Sequence, residues 1–333
     1  MLAYGRGVGE STETSDGGGN EDRQAARARP VRVRWRRLRV AGRSAACLEA
    51  GEGRTVVFLH GWGLSHRAYR DAVRGLAASG VRVLAPALPG FSGTAALPAD
   101  DSTLHGYAAW VAAFLDEMEI ADPVMIVGHS FGGGVGIVAA HDHPSRVGAL
   151  VLVNAIGGAA WTRDGELVTA MADRPLWNWG LHFSADLGRP IQLAKVLPVV
   201  ISEALPNLVL DPRAFVHAAR LARDADLTSE LEVLHRRGLP VVVVWSPRDR
   251  IVTEASVEAL CEALGDATTI SVPGGHNWLL ADPAHFSEVM TNVVQVAERA
   301  RWLEAGRTRR WLRRVRRPRT LERGNSVGEK MQV

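Results

Sequence analysis

The sequence predicts an α/β fold: a mostly parallel, doubly wound sheet with helices on both faces, interrupted once by a helical insertion. Three observations carry this expectation. Short runs of Val, Ile and Leu recur between amphipathic stretches, the pattern of strands that crossover helices bury on both faces. Of the 333 residues, 47% are hydrophobic, which is enough for one large core. The strand and helix alternation then stops at Gly157 and resumes after Gly238.

Taken in order, residues 1–29 are rich in Gly, Ser and acids and have no periodicity, so a disordered tail is expected. Val31-Arg32-Val33-Arg34-Trp35 alternates apolar and basic side chains, and Ala45–Ala50 follows a turn near Gly42, which predicts a leading hairpin. Val56–Leu59 is a stronger strand that ends at His60-Gly61-Trp62-Gly63 and leads into a helix around Ala68–Ala78. Val81–Ala85 is the next strand, stopped by Pro86 and Pro89-Gly90. An amphipathic helix is expected over Leu104–Met118, with strands at Val124–Val127 and Ala149–Val153. Between 157 and 238 the aromatic and aliphatic residues suggest several short helices, broken or begun by Pro175, Pro190, Pro198, Pro206 and Pro212. Val241–Trp245, a helix at Thr253–Leu264, a strand at Thr268–Val272 and a helix from Pro283 to about Arg301 complete the sheet. The expected organisation is a tail over 1–29, a core over 30–156 and 239–301, a helical cap over 157–238, and a basic tail over 302–333.

The chemistry centres on Val124–Val135. Four apolar residues run into Gly128-His129-Ser130-Phe131-Gly132, and helix-spaced apolar residues follow. Strand, sharp turn and helix in that order hold a Ser on a strained backbone at the end of a buried parallel strand, with its hydroxyl exposed. The two glycines fit because a Cβ would collide with the neighbouring strand and helix. A phosphate-binding helix start is the competing use of such a turn, but neither G-x-G-x-x-G nor GK[ST] is present.

A Ser hydroxyl needs a base to take its proton and a third group to orient that base. Asp249 lies just past the Val241–Trp245 strand and His276 just past Thr268–Val272. Ligands of open parallel sheets bind beyond the carboxyl ends of the strands, so Ser130, Asp249 and His276 share one edge. Together with Val56–Gly63 (VVFLHGWG), Leu88–Phe91 (LPGF), Gly128–Gly133 (GHSFGG) and the Gly-Gly-His at Gly274–His276, this order resembles the α/β-hydrolase superfamily over about residues 45–300. The resemblance implies Ser130 as nucleophile, His276 as general base and then acid, and Asp249 as the carboxylate that orients His276. It also implies an oxyanion hole from the backbone N–H groups of Trp62 and Phe131.

Relatives that open epoxides or remove halide carry Asp at the turn, so Ser130 points instead to hydrolysis of an ester-type bond in a small, apolar acyl substrate. Thioesters and the carbon–carbon bonds of vinylogous diketones are alternatives on the same triad. An alternative of another class is a non-catalytic binding protein on this fold. No metal spacing or cofactor motif is present, and none is expected. His60 resembles a structural histidine of the loop before Trp62, and His129 is expected to pack away from Ser130. His141, His143, His182, His217, His235 and His285 read as surface or cap residues. Asn154, where some relatives carry their acid, is not a carboxylate. Without a signal peptide or an apolar run of membrane length, a cytoplasmic protein is expected. Cys47 and Cys261 read as buried thiols.

The net charge of +3 conceals an asymmetry. Residues 23–43 hold nine Arg and no acid, residues 299–323 hold eleven Arg against Glu304 and Glu322, and residues 44–298 carry −11. The C-terminal Arg run interleaves Trp302, Leu303, Trp311, Leu312 and Val315, so peripheral contact with an anionic membrane is one expectation. A solvated tail folded on the acidic body is another, and nucleic acid is the least favoured partner.

Overall fold

The structure, a computed structural model, describes residues 31–163, 167–170, 190–265 and 267–297. The tails expected over residues 1–29 and 302–333 lie outside the described residues.

The chain enters the sheet through a hairpin. Strands β1 (Val33–Val40) and β2 (Arg43–Ala50) pair antiparallel, with Val33 opposite Ala50 and Val40 opposite Arg43. The two turn residues, Ala41 and Gly42, have φ of 47° and 75°, the left-handed pair whose twist matches that of the flanking strands. β1 forms one edge of the sheet and exposes Arg34, Arg36, Arg37 and Arg39, a row of like charge that discourages a further strand from pairing there.

Six further strands complete the sheet: β3 (Arg54–Leu59), β4 (Val81–Pro86), β5 (Val124–His129), β6 (Val147–Val153), β9 (Val241–Trp245) and β10 (Thr268–Ser271). The order across the sheet is β1-β2-β4-β3-β5-β6-β9-β10. All neighbours from β4 to β10 are parallel, and β2 joins β4 antiparallel. All six residues of β5 are buried, which is why the central strands read as continuous apolar runs rather than alternating ones. Helices α1 (Arg70–Ala77), α2 (Leu104–Glu117) and α3 (Phe131–Asp142) pack against the sheet. So does a closing helix, described over 283–297, whose Phe286 stands edge-on to Phe58 of β3, while α7 (Glu254–Ala263) follows β9 and buries Val257 and Leu260. Thr103 caps α2 by accepting the Gly106 N–H at 3.1 Å, the orphan donor of the first turn.

The segment between β6 and β9 differs from the expected series of short helices. It opens with a two-stranded antiparallel pair, β7 (Ala160–Arg163) and β8 (Leu167–Ala170). A 21-residue helix, α4 (Pro190–Leu210), then runs through Pro198 and Pro206, whereas Pro190 and Pro212 do begin helices. Each internal proline removes one bond of the helical ladder. Side chains of α4 that grip loops of the sheet outweigh this local preference. Helix α5 (Pro212–Arg223) is capped by Asp211, which accepts the Ala214 N–H at 2.9 Å. Helix α6 (Thr228–Arg236) packs against α3 and α7, with Leu231 and Leu234 buried. A one-turn helix not expected from the sequence, α8 (Trp278–Ala281), follows His276. Cys47 is buried as expected, and Cys261 is half-buried rather than buried.

Candidate active site

Ser130 sits alone between the end of β5 and the start of α3, with φ 52° and ψ −119°. A non-glycine residue in that region costs on the order of 1–3 kcal/mol and persists only where its surroundings hold it. Here they do. The Ser130 N–H donates to Val153 O at 3.1 Å, and its carbonyl accepts the N–H groups of Gly133 at 2.9 Å and Ile156 at 3.3 Å. The flanking glycines have the expected steric cause. A Cβ on Gly128 would lie 2.5 Å from Gly132 O, and one on Gly132 would overlap the Leu59 carbonyl. The hydroxyl is not openly exposed, as the turn alone suggests: Ser130 keeps only 6% of its surface. The loop after β3 packs so closely that a Cβ on Gly61 would lie 3.3 Å from Ser130 Cβ.

Asp249 and His276 meet at the neighbouring strand ends, with His276 Nδ1 donating to Asp249 Oδ2 at 2.8 Å. Both side chains are buried. With Nδ1 carrying the proton, Nε2 of the neutral ring is the acceptor nitrogen. The Asp249 carboxylate accepts three more N–H groups, from Ile251 N at 2.7 Å, Val252 N at 2.9 Å and Asn154 Nδ2 at 2.6 Å. Asn154, at φ 44° just past β6, is itself oriented by Trp278 Nε1, which donates to its Oδ1 at 2.9 Å. Thus the residue in the position of a relative's acid supports the acid supplied by another strand. The sequence marks Asn154 only as the position of a relative's acid, with no sign of this supporting role, and Trp278 does not stand out in it.

The ring nitrogens of His129 bond to groups other than Ser130, and His60 ties loops together. His129 Nε2 donates to the His276 carbonyl at 3.0 Å, and its Nδ1 accepts the Tyr69 hydroxyl at 2.8 Å. His60 accepts the Leu88 N–H on Nε2 at 2.9 Å and stands edge-on to Phe91, tying the loop after β3 to the loop after β4. Burial pushes His60 down to about 4. Burial and then the neighbouring His276 hold His129 well below the ordinary imidazole value. Both rings are therefore neutral structural groups. His66, also buried and with an unpartnered Nδ1, is pushed down to about 3, chiefly by burial. His141 is bonded to Asp142 and His217 to the Ser102 carbonyl, both partly exposed, whereas the side chain of His182 lies outside the described residues.

Phe131 follows Ser130 as the first residue of α3, and Trp62 follows Gly61 on the loop after β3. Among the described residues, neither N–H donates to a backbone carbonyl. Trp62 Nε1 donates to Phe215 O at 2.8 Å, and the two rings lie 4.6 Å apart, so α5 is fastened to the loop beside Ser130. Helix α4 grips the same region. Buried Asn207 accepts the Ser92 N–H at 3.0 Å and donates to Gly63 O at 3.3 Å, while Glu203 accepts the Ser65 hydroxyl. Among the described residues no group of three or more His, Cys, Asp or Glu is placed to hold a metal ion.

Residues 54–283 match the family model described as alpha/beta hydrolase fold. The chain belongs to the α/β-hydrolase family. It is a hydrolase, and the proteins it resembles include esterases. A pimeloyl-[acyl-carrier protein] methyl ester esterase of Aromatoleum aromaticum is 28% identical over 260 residues, covering 72% of this chain and 98% of that protein. A Mycobacterium phage D29 protein that carries the name of a non-heme haloperoxidase is 29% identical over 248 residues, covering 70% and 84%. Among solved structures, a serine hydrolase involved in carbazole degradation superposes with TM-score 0.64 at 23% identity, covering 80% of this chain and all of that one. No helix of the described residues is long and apolar enough to cross a membrane.

Proposed function

We propose that this hydrolase cleaves carboxylic-ester-type bonds of small, apolar acyl substrates, with Ser130 as nucleophile, His276 as base and Asp249 as the carboxylate that orients it. The observation that carries the proposal is the buried His276–Asp249 hydrogen bond at 2.8 Å, on the same sheet edge as a Ser held at positive φ. In the first step His276 Nε2 takes the proton of Ser130 Oγ while that oxygen attacks the substrate carbonyl. The developing oxyanion would accept the unspent N–H groups of Trp62 and Phe131, each worth about 2.7–4 kcal/mol of barrier. His276 then returns its proton to the leaving alkoxide, and water, activated by the same imidazole, releases the acid. Asp249 stays ionised and stabilises the imidazolium.

The segment between β6 and β9 acts in this proposal as the cap that shapes the acyl pocket, because Phe215, Asn207 and Glu203 fasten it to the loop beside Ser130. The enzyme works in the cytoplasm, with its basic C-terminal segment resting on anionic lipid. Hydrolysis of nitrophenyl esters of increasing acyl length, by the wild type and by Ser130→Ala, tests the catalytic part. Activity lost in the variant at every length supports it. Equal activity in the two proteins overturns it.

A further inference from the structure

We propose that His129, the residue before the nucleophile, is a positioning residue that locks the base loop, the nucleophile turn and the oxyanion loop into one register through a buried hydrogen-bond chain. The inference rests on the assignment of Ser130 and His276 above.

The chain begins on the loop after β3, where the Gly61 N–H donates to Tyr69 Oη at 3.2 Å. The Tyr69 hydroxyl donates to His129 Nδ1 at 2.8 Å, and His129 Nε2–H donates to the His276 carbonyl at 3.0 Å. Its two ends lie next to the groups that must meet a substrate. Gly61 immediately precedes Trp62, and the far acceptor is the backbone of the base itself. The hub, His129, is peptide-bonded to Ser130. Three segments brought together from 60 and 147 residues away thus meet on one imidazole.

Directionality fixes the protonation of the hub. The His276 carbonyl can only accept, so Nε2 carries a proton; in the neutral ring Nδ1 is then the acceptor and takes the Tyr69 hydroxyl proton, while Tyr69 Oη accepts the Gly61 N–H. A second proton on His129 would occupy Nδ1 and take from the buried Tyr69 hydroxyl the acceptor of its own proton. It would also set a cation beside His276, whose ring centroid lies 4.9 Å away and which becomes an imidazolium in each cycle. Burial opposes that proton as well: Tyr69 and His129 keep 0% and 1% of their surface. The titratable groups that face the hub are Tyr69, His276 and His60. A neutral ring of fixed tautomer can brace an imidazolium without repelling it, which neither a Lys nor an Arg could do here.

His129→Phe keeps a ring and removes both bonds. His129→Gln retains one donor and one acceptor on a neutral side chain, and Tyr69→Phe removes only the hydroxyl. The test measures the rate at which a fluorophosphonate labels Ser130 as a function of pH, alongside steady-state ester hydrolysis. In His129→Phe we expect labelling and kcat to fall about 10- to 100-fold, the scale of a misplaced catalytic group, with KM little changed and the midpoint of the acid limb displaced. His129→Gln should recover most of the rate, and Tyr69→Phe should fall between. A folded His129→Phe that labels at the wild-type rate and midpoint overturns the proposal. So does a His129→Gln as slow as His129→Phe, since the ring would then act by packing alone. If His129→Phe fails to fold, Tyr69→Phe decides: wild-type labelling in that variant overturns the chain. Labelling of Ser130→Ala at the wild-type rate would instead refute the nucleophile assignment.

Discussion

At the scale of single residues, the site is organised around satisfying Asp249. Four N–H groups converge on its carboxylate, and only one comes from the imidazole it orients. Asn154 and Trp278 extend the support outward, so losing either should loosen the acid without removing it. For Trp278→Phe, which leaves Asn154 Oδ1 short of a donor, we expect kcat to fall about five- to tenfold, equivalent to roughly 1 kcal/mol. Asp249→Asn should cost about 10⁴-fold, because the amide favours the wrong imidazole tautomer. A nitrophenyl ester assay on both variants checks the ranking, and a Trp278→Phe as slow as Asp249→Asn would contradict it. The sequence makes Ser130, His276 and Asp249 legible because each follows a strand or turn with a strong local signature. Asn154 shows only that a relative's acid is missing there, and Trp278 and Tyr69 lack such a signature. Their partners lie 95, 124 and 60 residues away, and an ordinary Asn, Trp or Tyr becomes a support only when the sheet brings them together.

At the scale of elements, what could be read followed the strength of the period. The strands of the main sheet are continuous apolar runs or a clear alternation between turn residues, and helices α1, α2 and α7 sit within two residues of their expected ends. The segment between β6 and β9 resisted the same treatment because its prolines point locally to helix ends, while Glu203 and Asn207 of α4 anchor one uninterrupted helix. Breaking that anchor tests the account. Asn207→Leu removes the bonds to Ser92 N and Gly63 O, and we expect KM for a nitrophenyl ester to rise more than kcat falls, with stability lowered by about 1–3 kcal/mol. The turn between β5 and α3 leaves less room. In Gly132→Ala the new methyl overlaps the Leu59 carbonyl, and β3 cannot retreat without giving up its pairing with β5. A loss of roughly 2–4 kcal/mol in urea unfolding is expected. An alanine variant as stable as the wild type would contradict the packing described.

At the scale of the whole molecule, three buried histidines make the fold sensitive to acid. An imidazole in the unfolded chain titrates near 6.5. In the folded protein His60 is pushed down to about 4 and His66 to about 3, chiefly by burial, and His129 well below its ordinary value. Between those values and 6.5 the unfolded chain binds more protons than the folded one. The contribution is therefore fully present above 6.5 and is lost as pH falls toward 4 and below. We expect the urea midpoint to drop steadily from pH 7 to pH 4, and replacing His66 by Gln to flatten that slope without touching the site. A midpoint independent of pH over this range would contradict the burial of neutral imidazoles.

Charge is distributed at the same scale, and it argues for where the enzyme works. Eleven Arg stand against two acids over residues 299–323, nine Arg stand unopposed over residues 23–43, and the body between carries −11. The basic ends can meet an anionic surface or the protein's own acidic body. One feature of the described residues is compatible with the surface: Ile201, Leu205, Val209 and Leu210 of α4 expose 52, 54, 70 and 80% of their area, an apolar patch that lipid could cover. Apolar side chains near the headgroups and roughly 1 kcal/mol per nearby Arg would act together. We therefore expect the full chain to pellet with phosphatidylglycerol-containing vesicles, more weakly with phosphatidylcholine alone and more weakly in high salt. Removing residues 302–333 should abolish most of the binding, and Leu205→Ser with Val209→Ser should reduce the remainder. If the truncated chain pellets as well as the full one, the tail is not the anchor. If neither pellets, the Arg segments serve the acidic body instead.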